Sequence, residues 1–309
     1  MFHRLPGFSS IGLSAPPSRA LDPIFLEKYL RSVRPECFFS PGYNAPLSSE
    51  VPFAFCLHDL NHLAIDEPFG DLKRLYYARI VRPAVLRAAV VFTVSEFSRR
   101  EICDWAKIAP DRIVNVSNGV SQAFCPSGAS YPAENYFVHI GGARPHKNLR
   151  RVMMALANSS RLREIRLVSI GDTRKEIMRL ASEFKLTDRT ICLQHLSDES
   201  LAAIYRGALG LVFPSLREGF GLPIVEAMAC GCPVITSQHS SMPEISGSAA
   251  ILVNPNEVDE IGHQMECIAG DPILRQKLSD LGRLRSSFFS WDKTASAIRV
   301  ALDAYIVAR

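Results

Sequence analysis

The sequence predicts a parallel α/β fold, because apolar strands alternate with helical segments through its second half. Six strands are expected after residue 130, at 135–140, 165–170, 190–193, 209–213, 233–236 and 249–252. Helices are expected in the gaps between the first four of them, at 148–158, 173–185 and 198–206. Six parallel strands joined by helices form a complete Rossmann-like domain.

The helical segments in the last part of the chain begin at recognisable residues. Ser197 precedes the helix at 198–206 and is a common N-cap residue type. Beyond the sixth strand the pattern is helical at 256–286 and again, after Ser290, at 291–308. The second domain therefore ends in helices rather than in a further strand.

The first half of the chain contains fewer strands, near 36–39, 52–57, 89–93 and 113–116. Its helices are expected at about 71–88 and 96–106. The segment CPSGASYPAEN that follows is rich in Pro, Gly, Ser and Ala, which is typical of a linker. Since 309 residues allow two domains that each bury a core, we predict domains at 1–130 and 131–290 and a final helix at 291–309.

The composition is that of a globular protein. Hydrophobic residues make up 47% of the chain, and the net charge of +4 is spread along it, so no nucleic-acid-binding stripe is expected. Eight cysteines lie mostly in apolar stretches and predict reduced, buried thiols. Cys230 and Cys232 also suit redox or metal chemistry, but burial is favoured at a helix-to-strand turn. No signal peptide or long apolar run is found, which predicts a cytoplasmic protein.

The segment from Pro214 to Ser237, PSLREGFGLPIVEAMACGCPVITS, carries the most chemical information. Glu218 and Glu226 lie on either side of a loop that leads into a short helix starting near Leu222. The free N–H groups and positive dipole end of such a helix face the carboxyl edge of the sheet, where a diphosphate is stabilised. Gly221 lets the backbone approach that ligand closely.

Glu226 lies one turn into this helix, beside the expected phosphate position. A carboxylate there is poorly placed to bind phosphate and well placed to accept hydrogen bonds from neutral hydroxyls, such as those of ribose. The alternative is that it only complements the helix dipole, which is worth about 0.3–1 kcal/mol. Taken alone, this residue leaves both interpretations open.

The whole segment resembles the glutamate-x7-glutamate signature of family 4 retaining glycosyltransferases. Five further segments are also similar to segments of that family: FVHIGGARPHKNLRRVMMAL, VVFTVSEFSRREI, NVSNGVSQAF, CLHDLNH and MPEISGSAAILVNP. The likeness covers roughly residues 36–309.

The resemblance implies the GT-B fold, in which two Rossmann-like domains face a cleft and the last helix crosses back onto the first domain. It implies a metal-independent hexosyltransferase that moves a sugar with retention from a nucleotide-sugar donor to a glycan or lipid-linked acceptor. The pattern looks closest to bacterial mannosyltransferases of O-antigen or exopolysaccharide biosynthesis, so GDP-mannose is the first donor expected and a UDP-sugar the next. No cofactor besides the donor is implied. Phosphorylases and nucleotide-sugar epimerases share the architecture but do not usually carry this signature.

The resemblance also assigns roles to basic and acidic side chains. Lys147 and Arg144, which follow Gly142, would stabilise the departing phosphates electrostatically. Glu218 would lie beside the donor sugar, and Glu226 would hold the ribose. The alternative for the two cations is a solvated basic turn.

Three backbone N–H groups and one histidine complete the implied site. Phe220, Gly221 and Leu222 would donate to phosphate and sugar. His58 ends a strand of the first domain and would contact the transferred sugar, whereas an isolated histidine is otherwise more often structural.

One part of the family pattern is missing. Related chains open with a strand, a glycine-rich loop and a helix, but this chain opens with MFHRLPGFSSIGLSAPPSRALD, which has no convincing strand. We therefore expect an N-terminal domain without its opening strand-loop-helix unit. Either the true start lies upstream, or the chain lacks the unit and is a non-catalytic relative that binds a nucleotide sugar or a partner glycosyltransferase.

The segment 71–88 has a basic face among aromatic residues. The residues concerned are Lys73, Arg74, Arg79, Arg82 and Arg87, with Tyr76 and Tyr77. Such a face suits anionic lipid and predicts weak, reversible contact with the inner face of the cell membrane. A solvated face is the alternative, and Pro83 is expected to interrupt the helix.

Overall fold

The computed structural model describes residues 22–47, 50–65 and 70–307, which form two parallel α/β domains. The opening segment 1–21, on which the expectation of a missing unit depends, lies outside the described residues. Among the described residues, no helix is both long and apolar enough to cross a membrane.

The first sheet contains four described strands. They are β1 (Phe38–Ser40), β2 (Phe53–Cys56), β3 (Val90–Thr93) and β4 (Ile113–Asn115). All pairings are parallel, and the strands cross the sheet in chain order, β1-β2-β3-β4. The four predicted strands are confirmed with ends shifted by one or two residues. In the described part of this sheet the order never reverses, as in one half of a doubly wound sheet.

The described helices of the first domain are α1 (Asp22–Val33), α2 (Asn61–Ala64), α3 (Gly70–Tyr76), α4 (Arg82–Arg87) and α5 (Glu96–Ala106). The sequence pattern did not predict α1 or α2. The helix predicted at 71–88 is α3 and α4 joined by a π turn at Tyr77–Val81. Pro83 lies in the first turn of α4, where its missing N–H is tolerated, so it changes the winding of the helix and does not end it.

The second sheet contains six strands. They are β5 (Tyr136–Ile140), β6 (Arg166–Ile170), β7 (Thr190–Leu193), β8 (Gly210–Phe213), β9 (Val234–Ser237) and β10 (Ile251–Val253). Their order is β10-β9-β8-β5-β6-β7, and all pairings are parallel. All six predicted strands are confirmed. The strand order reverses between β5 and β8, which is where ligands bind in a doubly wound sheet.

The helices that follow β5 are α6 (Leu149–Asn158), α7 (Arg174–Glu183), α8 (Asp198–Gly207), α9 (Leu222–Ala229), α10 (Met242–Ser246), α11 (Val258–Gly270), α12 (Pro272–Ser286) and the final helix α13 (Trp291–Val307). Ser197 caps α8 by accepting from the N–H of Ser200, as predicted. The helical pattern at 256–286 is two helices, because the Asp271 carboxylate accepts from the N–H groups of Ile273 and Leu274 and starts α12 there.

The last helix packs on the first domain. Leu302 of α13 is buried in one apolar cluster with Ala54 of β2, Phe92 of β3 and Val116 after β4. The two faces of the second sheet are covered by separate clusters, one of which includes α9 and the other α6 and α11. The chain therefore passes from the first domain to the second and returns to the first domain in α13. The loop after β8 also contacts the first domain, because the Gly219 carbonyl accepts from Ser95 and Ser98.

Candidate functional site

The loop after β8 presents a row of backbone N–H groups at the switch point. Gly221 adopts φ 98° and is the N-cap of α9, which begins at Leu222. Within the described residues, the N–H groups of the predicted donors Phe220, Gly221 and Leu222, and that of Gly219, donate to no protein acceptor. The Phe220 side chain is buried against Phe289, so its backbone alone is available to a ligand. N–H groups without a protein acceptor at the start of a helix are suited to an anion, so this loop is a candidate anion-binding surface.

The loop after β5 lies beside this surface and carries Lys147. Gly141 has φ 113° and a side chain on it would come within 2.5 Å of Lys147 Cγ, so the lysine stem lies on the bare glycine. Gly142 (φ 63°) allows a similarly close approach to Thr173 and Gly171. Only glycine tolerates both the positive φ and the contact at these two positions. The loop thus directs the ammonium of Lys147 toward the cleft.

Lys147 and Glu218 form an ion pair across the switch point. Lys147 Nζ lies 2.7 Å from Glu218 Oε1, and the two side chains are only 13% and 11% exposed. The ammonium also lies 5.0 Å from the centre of the Phe213 ring. The sequence placed the lysine on phosphate and the glutamate beside a sugar, and the structure brings the two groups into one site. An anionic ligand on the N–H groups of the loop would compete with Glu218 for the ammonium.

Two buried polar residues hold the Lys147 loop in place. His139 of β5 is fully buried, and its Nε2 lies 2.9 Å from the Lys147 carbonyl. Burial lowers the pKa of His139 to about 4, so at neutral pH the ring is uncharged and donates this hydrogen bond. Asn148, in the left-handed region, donates through its amide to the carbonyls of Pro214 and Pro255. The loops that follow β5, β8 and β10 are thereby tied together.

Glu226 projects from the second turn of α9 and pairs with a residue that the sequence did not single out. The hydroxyl of Tyr205, a fully buried residue of α8, donates to Glu226 Oε2 at 3.2 Å. Burial raises the pKa of the Glu226 carboxyl from its ordinary 4.5 to about 7, and the hydrogen bond from Tyr205 opposes the rise. A further hydroxyl that donates to this carboxylate would therefore stabilise its ionised form.

Comparisons with known proteins now identify the family. The family described as "Glycosyl transferases group 1" matches residues 123–285, which is more than half of the chain, and "Glycosyltransferase Family 4" matches residues 2–124. The chain belongs to the group 1 glycosyl transferases. The resemblance found in the sequence is confirmed.

Similar proteins with assigned names agree with this family assignment. O-antigen chain mannosyltransferase B of Escherichia coli is 29% identical over 281 residues, which is 85% of this chain and 73% of that protein. Serotype-specific mannosyltransferase WbdA of Escherichia coli is 30% identical over 229 residues, 68% of this chain but only 28% of that larger protein. The sucrose-phosphate synthase structure from Thermosynechococcus elongatus superposes with a TM-score of 0.80 at 20% identity, covering 96% of this chain and 82% of that one. This last likeness confirms the GT-B fold.

Two other residues expected in this glycosyl transferase are His58 and Arg144. In the described part of the chain their side chains form no hydrogen bond with Lys147 or Glu218, although the Arg144 carbonyl accepts from the Lys147 N–H at 2.9 Å. His58 is exposed at the end of β2, and its Nε2 lies 3.2 Å from the Pro41 carbonyl. Arg144 is exposed just before a short 3₁₀ turn, and its guanidinium has no hydrogen-bonding partner in the described part of the chain. Both remain predictions. The neighbour of His58, Asp59, is the residue that reaches the loop, because a side chain on Gly219 would come within 2.3 Å of its carboxylate.

Sequence reasoning missed the residues through which the first domain contacts the glycosyl transferase signature. Ser95 and Ser98 donate to the Gly219 carbonyl, and Glu244 accepts from the N–H groups of Glu96 and Phe97. The segments VSEFS and MPEIS were noted only as family-like stretches. Nothing in their spacing indicates that they meet, because they lie in different domains.

Proposed function

We propose that the chain transfers a hexose, with mannose favoured, from a nucleotide-sugar donor to a glycan or lipid-linked acceptor of cell-surface polysaccharide. The observation that carries this proposal is the row of free N–H groups at Gly219, Phe220 and Gly221 beside the Lys147 ammonium. Mannose is favoured because the two relatives described above bear the name mannosyltransferase. Donor, acceptor and linkage all belong to this proposal.

In the proposed complex the donor diphosphate binds the loop N–H groups, and Lys147 leaves Glu218 to pair with it. The ribose hydroxyls donate to Glu226, and the sugar lies next to Glu218. Arg144 and Gly142 border the phosphates, and His58 approaches from the first domain. The base is expected beside Gly171, whose carbonyl accepts from the Gln194 amide at 3.1 Å.

The proposed reaction retains configuration and uses no metal ion. The bond from the anomeric carbon to the phosphate oxygen breaks, and both electrons stay with that oxygen. The acceptor oxygen attacks from the same face, and its proton passes to the departing phosphate oxygen. Lys147 and the loop N–H groups neutralise the charge that develops on the diphosphate.

A peripheral membrane contact is part of the proposal for the acceptor side. Leu72 and Leu75 of α3 are 66% and 53% exposed, and Arg74 and Arg79 are exposed on the same helical segment. Exposed apolar side chains among cations are the combination that binds an anionic lipid surface. A lipid-linked acceptor would be met at such a surface.

Calorimetric titration of the full chain in EDTA tests the donor proposal. GDP-mannose, UDP-glucose, GDP and UDP are titrated separately, and we expect one nucleotide class to bind. Glu226→Ala should weaken nucleotide binding. Glu218→Ala should preserve nucleotide binding, because it frees Lys147 for the diphosphate, and should reduce transfer, because it removes the carboxylate next to the sugar. Glu176→Ala, an exposed glutamate in the first turn of α7, is the control. A folded chain that binds none of the four ligands would contradict the donor proposal and favour a truncated or non-catalytic relative.

A further inference from the structure

The first turn of α5 in the first domain is bound by the second domain. Glu244 of α10 accepts from the N–H of Glu96 at 2.8 Å and from the N–H of Phe97 at 3.1 Å. Ser95 accepts from the N–H of Ser98 at 3.0 Å. The helix start is therefore capped jointly by its own serine and by a carboxylate from the other domain.

Arg217 strengthens the same contact one turn further along α5. Its guanidinium donates to both carboxylate oxygens of Glu101 and lies over the Phe97 ring, 5.4 Å from its centre. It also donates to the side chain of Asn61 at 3.1 Å. Both bonds to Glu101 come from one nitrogen, Nη2, while Nε donates to Asn61, so the guanidinium is held on two sides. These contacts hold α5 at one defined position against the 218–222 loop.

At that position two serine hydroxyls of the first domain reach a single carbonyl of the loop. Ser95 Oγ donates to the Gly219 carbonyl at 2.6 Å, and Ser98 Oγ donates to it at 3.1 Å. Both serines are fully buried. From within the second domain, the Ser241 hydroxyl lies 3.0 Å from the carbonyls of both Glu218 and Phe220. Serine hydroxyls thus lie at three consecutive carbonyls, and the single proton of Ser241 serves two of them.

This arrangement decides where the N–H groups of the loop point. In a planar trans peptide, the carbonyl of one residue and the N–H of the next point in opposite directions. The carbonyls of residues 218 and 220 are directed at Ser241, so the N–H groups of Gly219 and Gly221 point away from Ser241. The carbonyl of Gly219 is directed at Ser95 and Ser98, so the N–H of Phe220 points away from these two serines of α5. These are the N–H groups that have no protein acceptor in the described part of the chain.

We propose that Ser95 and Ser98 are positioning residues of the transfer reaction, through which the first domain orients the Phe220 N–H toward the donor diphosphate. The inference rests on the proposed function for its ligand. The two domains are then not independent binding units, because the phosphate-binding loop of one is completed by helix α5 of the other.

The test compares Ser98→Ala with Ser246→Ala in the full chain. Ser98→Ala removes a hydroxyl from Gly219 and leaves the Ser95 cap in place. Ser246 is also fully buried, but its hydroxyl donates to the Met242 carbonyl within α10 and does not touch the loop. Two measurements are made: amide hydrogen exchange of peptides covering 214–226 without ligand, and calorimetric binding of the nucleotide sugar that the wild type prefers.

We expect Ser98→Ala to speed exchange in 214–226 and to weaken nucleotide-sugar binding about three- to tenfold, as the loss of one hydrogen bond predicts. Ser95→Ala should do the same and Ser95→Thr, which keeps a hydroxyl and a capping residue, should restore both. Ser246→Ala should change neither. Wild-type exchange and wild-type affinity in Ser98→Ala and in the Ser95→Ala/Ser98→Ala double variant would overturn the proposal. If the wild type binds no nucleotide sugar, the proposed function fails, and the exchange measurement still decides whether the serines order the loop.

Discussion

Protonation of Glu226 is expected to make donor binding depend on pH near neutrality. Burial raises the pKa of this carboxyl to about 7, although the Tyr205 hydroxyl donates to it. Ribose hydroxyls that donate to Glu226 bind its ionised form in preference to its protonated form. Because binding draws on the ionised fraction alone, the apparent dissociation constant rises as the pH falls through 7.

The size of the effect follows from the ionised fraction. With a pKa of about 7, roughly nine-tenths of Glu226 is ionised at pH 8 and roughly one-tenth at pH 6. The donor should therefore bind about tenfold more weakly at pH 6 than at pH 8. A nucleotide sugar suits this measurement, because its substituted diphosphate does not ionise in this range.

Calorimetric titration of GDP-mannose at several pH values between 6 and 8 measures the effect. Glu226→Gln has no proton to exchange there, so its affinity should be lower than that of the wild type at pH 8 and nearly independent of pH. A wild-type affinity that stays constant from pH 8 to pH 6 would refute the reasoning. So would an equal pH dependence in Glu226→Gln, because another group would then be responsible.

The same ionisation predicts a stability effect of defined sign. A pKa raised from 4.5 to about 7 means that the folded state binds this proton more tightly than the unfolded state does. Stability is therefore lost as the pH rises from about 4.5 to about 7, by about 3 kcal/mol for this group, and is constant above. The free energies of unfolding of the wild type and Glu226→Gln are measured in urea at both ends of this pH range. The difference between the two proteins should change by that amount from one end to the other.

Two further predictions concern the ion pair and the exposed helix. Lys147→Ala should lower the free energy of unfolding by about 3 kcal/mol, because it leaves the nearly buried Glu218 without its cation. Lys147→Met combined with Glu218→Leu should recover most of the loss in urea unfolding, and an unchanged stability of the single variant would contradict the account. Liposomes containing anionic lipid should carry the wild type upward in a flotation assay and carry less of Leu72→Ser/Leu75→Ser. Ile273→Ser, which changes a still more exposed apolar residue on α12, should behave as the wild type. Equal recovery with and without anionic liposomes would end the membrane proposal.

Much of the fold could be predicted from local patterns. All ten described strands fall where short apolar runs are bounded by polar or turn residues, and Ser197 caps α8 as its residue type suggested. The errors have local causes as well. Pro83 was read as a break, but a π turn accommodates it, and Asp271 was not recognised as the cap that divides 256–286 into two helices.

The site was predicted less completely than the fold. Glu218, Lys147 and Glu226 were singled out by their place in loops and a helix at the carboxyl edge of the sheet and by the family resemblance, and their roles stay predictions. Their partners were not found. Tyr205 lies in another helix than Glu226, and His139 is a strand residue whose ring happens to reach the Lys147 carbonyl. Such pairs depend on how neighbouring elements pack. The periodicity of hydrophobic residues along the sequence carries no information on that packing.

The sequence by itself determined the alternation of strands and helices, the glycine-bearing loops after β5 and β8, and the family to which the chain belongs. These properties depend on residues close together along the chain. The tertiary structure alone decided that Lys147 pairs with Glu218, 71 residues away, and that Ser95 holds the Gly219 carbonyl, 124 residues away. Hydrogen bonds and ion pairs act over about 3 Å, so which distant groups form them is decided only when strand order and domain docking bring them together.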